Sequence, residues 1–258
     1  KNQEIAKEYF NIDNGGLQEG DLKKNLKFAE SLKLIRDNGS KAMLHGKLAA
    51  NILSTVIEYK SNPGVMTKDD FDFVKPVLTK PICGNYRQWK ICGMGPPSSG
   101  GITILQILGI LNNFDLTSES PNDSEVWHLF LEASKLAYTD RGYYIADSDF
   151  INVPIEKMLD EKYLKERSKL IKKTSIISNP QKGKFKNVKA THLGKDSTSE
   201  RPSTTHLSII DKYGNALALT SSIEFMFGSG LMTSGFLLNN QMTDFSFYPK
   251  DKEGNLIA

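Results

Sequence analysis

Cysteine is almost missing from this chain. Cys83 and Cys92 are the only two, too few for a disulfide framework or, by themselves, a zinc site. Two unpaired, half-buried thiols are expected, with a bridge across a hairpin as the alternative. An excess of either charge is missing too: 33 basic residues face 30 acidic ones, for a net +3. That balance gives no case for nucleic acid, and the lysine-dense stretches Lys162–Lys173 and Lys182–Lys189 read as solvated surface. Long apolar runs are absent. The longest, Ile102 to Leu111, is broken by Thr103, Gln106 and Gly109, well short of a membrane span. His45, His128 and His192 lack metal-ligand spacing, so no metal is expected. Pro96-Pro97-Ser98-Ser99-Gly100-Gly101 lacks both the phosphate-loop lysine and the dinucleotide glycine spacing, so no cofactor is expected. This turn reads first as close packing of a helix start against a sheet and second as a substrate contact. No signal segment is seen at Lys1, which is not an initiator methionine, and Gly254 to Ala258 ends on a strand-like pattern. Both features suggest a fragment.

What is present is a change of pattern at Thr204. The first part of the chain is helical in period: Phe28 to Asp37, Lys47 to Tyr59, a short helix after Thr67, Ile102 to Leu111, Ser124 to Tyr138 and Met158 to Lys172. Two strands are expected around Ile82-Cys83 and from Trp89 to Gly93. Residues 174–203 are polar and rich in Gly, Ser, Asn and Lys, as a mobile, exposed connection would be. From Thr204 the pattern is β. Leu207, Ile209 and Ile210 form a buried strand, Asp211 to Asn215 a hairpin turn, and Ala216 to Thr220 the return. A third strand is expected at Phe236-Leu237-Leu238.

A threonine at a strand mouth is ordinary β structure. It becomes a nucleophile when the chain is cut just before it, because the freed α-amine is a base on the same residue. The cut itself would be an attack of the Thr204 hydroxyl on the Ser203 carbonyl. His206 shares a strand face with Thr204 and is read first as a packed strand histidine, then as a base. The Asn239–Asp244 segment, with Asn240, Gln241 and Asp244, suits an amino group plus a polar amide. A set of turn caps is the equal alternative.

These residues resemble the γ-glutamyltranspeptidase (glutathione hydrolase) family. The resemblance is carried by Ser203-Thr204-Thr205-His206-Leu207-Ser208, the Asp211–Asn215 turn, Phe227-Gly228-Ser229-Gly230 and Gly235 to Ser246. Upstream it is carried by Pro96 to Gly101, Leu131-Glu132-Ala133 through Asp140-Arg141, and Asp147 to Phe150. It implies an α+β N-terminal-nucleophile hydrolase fold, a four-layer αββα sandwich, incomplete here. It also implies a self-cleaving proenzyme. Residues 1–203 would be the C-terminal portion of the large subunit, ending in the 174–203 linker, and 204–258 the start of the small subunit. Thr204 matches the nucleophile, Ser222 the hydroxyl that orients it, and Gln241 and Asp244 the positions that hold the donor α-amino group. The implied substrate is a γ-glutamyl compound such as glutathione, the implied partners are the other segments of the same proenzyme, and the implied location is periplasmic or extracellular.

Three departures stand out. Glu224, also placed at the substrate, sits where typical members have asparagine. Ser221-Ser222-Ile223-Glu224 is closer to the cephalosporin-acylase-like and capsule-depolymerase-like branch. The serine pair that grips the substrate carboxylate, the oxyanion glycines and the carboxylate-binding arginine are not found among the 258 residues. The alternatives are therefore an acylase for dicarboxylic side-chain amides, or an inactive truncated or split-gene remnant.

Overall fold

The computed structural model describes residues 3–10, 15–116, 120, 122–185, 194 and 204–257. In chain order it contains α1 (Gln3–Phe10), α2 (Leu26–Asn38), α3 (Lys41–Leu44), α4 (Lys47–Ile57), α5 (Asp69–Asp72), β1 (Ile82–Tyr86) and β2 (Trp89–Gly93). These are followed by α6 (Gly100–Leu111), α7 (Ser124–Tyr144), α8 (Ile155–Met158) and α9 (Glu161–Ser168). Then come β3 (Thr205–Ile210), β4 (Ala216–Ser221), β5 (Met232–Thr233), β6 (Phe236–Leu237) and a 3-10 turn at Gln241–Asp244. The chain divides into two units, Lys1–Val77 with Ser199–Phe245, and Leu78–Thr198 with Ser246–Ala258.

The first unit is organised around the β5–β6 turn. Asn25 caps α2 by accepting from the Phe28 amide at 2.9 Å, and its own amide donates to the Gly235 carbonyl at 2.7 Å. Ser31, buried on α2, donates to the Ser234 carbonyl at 2.7 Å. Asn51 on α4 donates to Ser234 Oγ at 2.9 Å. Buried polar groups need such partners, so α2 and α4 fix the short ladder by polar contacts as much as by packing. Gly235 adopts φ 85° with the Phe28 amide 2.2 Å from where a Cβ would lie, so only glycine fits there.

The β3–β4 hairpin turns as its sequence predicts. Asp211 accepts from the Tyr213 and Asn215 amides at 2.8 and 2.9 Å, and Gly214 takes φ 84°. Its burial does not follow the prediction: every residue of both strands is exposed, including Ile209 at 53% and Ile210 at 78%. Each described ladder has two strands only, β1–β2, β3–β4 and β5–β6, and among the described residues neither face of the β3–β4 hairpin is buried. The segment expected as a third strand pairs with Met232–Thr233 instead. The structure is thus mixed helix and strand, and its described residues do not assemble the four-layer sandwich.

The second unit has a helical core. Ile107, Ile110 and Leu111 of α6 meet Leu129, Ala133, Leu136 and Ala137 of α7. The α7 helix runs six residues past its expected end, to Tyr144, because Asp140 and Tyr144 are fully buried and continue the inward face. The expected Met158 to Lys172 helix is shorter, α9 from Glu161 to Ser168, with Asp160 capping it by accepting from the Tyr163 amide at 2.9 Å; Met158 instead ends the separate short helix α8. The glycine turn reads as first expected: a Cβ on Gly101 would lie 2.5 Å from the Met94 carbonyl oxygen, and one on Gly93 2.7 Å from Gly101 Cα. The β2 end and the α6 start touch backbone to backbone.

One expectation is corrected in this unit. Cys83 and Cys92 are disulfide-bonded, not free, and both are exposed. They are directly opposite each other in the β1–β2 register, with Cα atoms 4.1 Å apart, a placement that sequence spacing alone did not fix. The start of the 174–203 connection is largely exposed but makes specific contacts, with Gly183 and Phe185 buried. The Ile177 amide donates to Glu132 Oε2 at 2.6 Å, the Gly183 amide to Asp140 Oδ1 at 2.7 Å, and Arg167 to the Gln181 carbonyl at 2.8 Å. Polar composition hid these contacts because the partners are buried charges, not apolar side chains. The rest of that connection lies outside the described residues, apart from Gly194, whose amide donates to the Leu256 carbonyl at 2.7 Å.

Candidate active site

All of the sequence-predicted site residues that the structure describes lie in the first unit. Ser203, the residue before the proposed cut, lies outside the described residues. Thr204 stands one residue before β3. The β3–β4 register pairs Thr205 with Ser221, so Thr204 and Ser222 are the next opposed pair. Thr204 Oγ1 donates to Ser222 Oγ at 3.0 Å. Ser222 Oγ also accepts from the Glu224 amide at 2.9 Å. The second contact anchors the serine from its own chain end, so the threonine hydroxyl is held by a hydroxyl that is itself held.

The chain then bends sharply. Glu224 and Phe227 take positive φ, 71° and 63°, uncommon for residues with side chains. Gly228 takes φ 54°, with the Leu238 carbonyl oxygen 2.2 Å from where a Cβ would sit. This bend brings the Glu224 carboxylate to Asn240, whose side-chain amide donates to it. Asn240 Oδ1 in turn accepts from the Phe225 amide at 2.9 Å, and Asn240 Nδ2 also donates to Thr243 Oγ1 at 3.0 Å. Both donors and the oxygen of the Asn240 side chain are thus engaged by neighbouring residues of this loop region.

Gln241 and Asp244 form a second pair one turn on. The Gln241 side-chain amide donates to Asp244 Oδ2, and the Gln241 backbone amide donates to Asn239 Oδ1 at 2.9 Å. The i, i+3 spacing across the 3-10 turn aligns the two side chains. Both are exposed, and an ionised aspartate keeps lone pairs for a further donor such as an ammonium. The six residues thus form three hydrogen-bonded pairs: Thr204 with Ser222, Glu224 with Asn240, and Gln241 with Asp244.

Sequence reasoning missed Thr220 and Thr243. His206 Nδ1 lies 2.7 Å from Thr220 Oγ1, and Nε2 lies 3.2 Å from Ser208 Oγ. The face that carries Thr204 continues as a polar row of His206, Ser208 and Thr220. The signal for Thr220 was available, because His206 and Thr220 are cross-strand partners once the Asp211–Asn215 turn sets the register. His206 is exposed rather than packed, and its two ring nitrogens meet Thr220 across the ladder and Ser208 along the strand, not Thr204.

The model of the family described as gamma-glutamyltranspeptidase matches residues 1–257. The glutathione hydrolase proenzyme of Escherichia coli (strain K12) is 38% identical over 250 residues, covering 96% of this chain and 41% of that protein. The chain therefore spans about two fifths of the length of this curated relative. Among solved structures, the Helicobacter pylori gamma-glutamyltranspeptidase aligns with a TM-score of 0.67 at 32% identity, over 73% of this chain and 54% of that one. The cephalosporin acylase of Bacillus halodurans aligns with a TM-score of 0.78 over 98% of this chain and 44% of that one. At 23% identity, that likeness concerns fold alone.

Proposed function

The chain belongs to the gamma-glutamyltranspeptidase family, and from that premise we propose that it carries the nucleophile and the amino-group site of an enzyme that cleaves γ-glutamyl amide bonds. The observation that carries this reading is the Thr204–Ser222 hydroxyl pair at the mouth of β3. The proenzyme first cuts itself. Thr204 Oγ1 attacks the Ser203 carbonyl, the amide C–N bond breaks to leave an ester and a free α-amine on Thr204, and water hydrolyses the ester to the Ser203 carboxylate and the Thr204 hydroxyl. That amine, with a reference pKa of about 8, accepts the hydroxyl proton near neutral pH. Thr204 Oγ1 then attacks the γ-carbonyl, and the proton passes to the departing amine. Water or an acceptor amine resolves the acyl-enzyme. Asp244, aligned by Gln241, takes the donor ammonium.

In this reading β3–β4 is part of the four-layer sandwich of an N-terminal-nucleophile hydrolase, and its exposed faces are covered by other segments of the same proenzyme. Those segments also supply the carboxylate clamp and the oxyanion hole, and the enzyme works in the periplasm or outside the cell. Among the described residues, no helix is long and apolar enough to cross a membrane. The test is the Thr204→Ala variant in the full-length protein. It should stay uncut and inactive, while Thr204→Ser keeps some of both functions. Efficient cutting of the alanine variant, read by mass at the Ser203–Thr204 bond, removes Thr204 from the mechanism.

A second reading, an amidase for dicarboxylic side-chain amides, rests on the resemblance of Ser221-Ser222-Ile223-Glu224 to the acylase-like branch. The Glu224 carboxylate accepts from Asn240 and the Glu224 amide donates to Ser222 Oγ, so a negative charge stands on the loop leading from Ser222, where it would oppose the carboxylate of a γ-glutamyl donor. Glu224→Asn is then expected to raise kcat/KM for glutathione. An equal or lower value means that Glu224 has a different role.

A further inference from the structure

Outside the candidate active site, the exposed Cys83–Cys92 pair has chemistry that the function above does not use. The β1–β2 hairpin has two unlike faces. Ile82, Gly84, Tyr86, Ile91 and Gly93 are half-buried, and this face is the one that meets α6, with Leu105 3.1 Å from where a Gly84 Cβ would lie. The opposite face carries Cys83, Cys92, Asn85 and Lys90, all exposed. Cys83 is paired with Cys92 and Asn85 with Lys90, so the lysine sits one step along the same face from the disulfide. Neighbouring positions on one face are about 7 Å apart. The hairpin itself carries charge of one sign: from Ile82 to Gly93 it holds Arg87 and Lys90 and no carboxylate.

We propose that Cys83–Cys92 is a thiol-exchange site for low-molecular-weight thiols that carry a carboxylate, with Lys90 selecting for the negative charge. The bond closes a loop of sequence separation 9 that the backbone ladder and α6 already close. Breaking it therefore releases little chain entropy, and both redox forms keep the fold. Cationic surroundings stabilise the thiolate that attacks or departs. In the first step a thiolate RS⁻ attacks one cysteine sulfur. The protein S–S bond breaks, and the other cysteine leaves with the electron pair and takes a proton from water. The product is a mixed disulfide beside one free cysteine. A second RS⁻ attacks the mixed disulfide to give RSSR and the second cysteine thiol. In total, one protein disulfide and two RSH become two cysteine thiols and one RSSR.

The probes are mercaptoacetate, which is anionic, and cysteamine, which carries an ammonium. Neither is a γ-glutamyl amide, so the result is independent of the Thr204 reading. The full-length protein is equilibrated with each thiol and its own disulfide, so its starting redox state is immaterial. Adducts are located by peptide mass, and exchange rates are compared at equal thiolate concentration. Mixed disulfides are expected at Cys83 or Cys92. Lys90→Glu should lower the mercaptoacetate-to-cysteamine rate ratio at least roughly threefold at low ionic strength, as a unit charge ~7 Å away in water predicts. The effect should shrink with added salt, and Lys90→Gln should give a smaller change in the same direction. No adduct under conditions that exchange an exposed reference disulfide overturns the proposal. So does a rate ratio that neither lysine variant changes.

Discussion

Replacing Asp140 with asparagine tests whether a buried charge holds the segment that leads toward Thr204. Asp140 is fully buried. Its Oδ1 accepts from the Gly183 amide at 2.7 Å and from Arg167 Nη2 at 3.2 Å. Its Oδ2 accepts from Gln106 Nε2 at 3.3 Å and from the Tyr163 hydroxyl. Burial pushes this carboxyl above the usual range, opposed by Arg167, Tyr163, Gly183 and Gln106. The same burial raises the Tyr144 hydroxyl to about 12, so Tyr144 stays a donor, to the Gly183 carbonyl at 2.5 Å. An asparagine accepts on one side only. Its NH₂ group would face either the Gly183 amide and Arg167, or Gln106 and Tyr163. Arg167 would then lose its carboxylate, although its side chain is only 6% exposed. Removing one partner of a buried pair costs about 3–5 kcal/mol. The assay is chemical denaturation of the full-length protein at pH 7, alongside tryptic cleavage after Lys182 and Lys184, which requires residues 174–185 to undock. Both should shift together. A loss below about 1 kcal/mol with unchanged cleavage refutes the reasoning, because it would mean that Asp140 is already protonated and needs no counter-charge.

Glu132 behaves in the opposite sense. Burial alone would raise its carboxyl, but the Lys135 hydrogen bond, the Ile177 amide and the nearby Lys135 and His128 charges together hold it below the usual range. A depressed carboxylate stabilises fully above its unfolded value of about 4.3, and that stabilisation is lost as pH falls through the folded value. Glu132→Gln should therefore cost roughly 1–2 kcal/mol near pH 7, with the gap to the parent closing toward pH 3 in denaturation curves. A pH-independent gap would remove the ion from the argument. Gly101→Ala should lower stability by about 1–3 kcal/mol, since its Cβ would lie 2.5 Å from the Met94 carbonyl oxygen, and an unchanged Tm would show that the α6 start can yield. Asp244→Asn should raise KM for γ-glutamyl substrates about 10- to 100-fold, the worth of a charge-assisted hydrogen bond, while self-cleavage is unaffected. An unchanged KM would leave Asp244 as a turn cap for Gln241.

The sequence by itself determined the elements with local causes. The apolar period of Ile102 to Leu111 and the Asp211–Asn215 turn are written in neighbouring residues, and such signals need no distant partner. It also determined which residues to watch, because the Thr204 and Asn239–Asp244 motifs are contiguous. Tertiary structure alone decided the rest. The pairing of Glu224 with Asn240 depends on positive-φ backbone at Glu224 and Phe227, which propensity does not forecast for glutamate or phenylalanine. The disulfide depends on Cys83 and Cys92 falling opposite each other in register, where a slip of one residue would send them to opposite faces. The docking of residues 174–185 depends on Asp140 and Glu132, buried charges from α7 that satisfy backbone amides far along the chain. A polar segment held by buried carboxylates has the same composition as a loose one. The difference lies in where its amide protons go, and only the folded chain brings those acceptors to them.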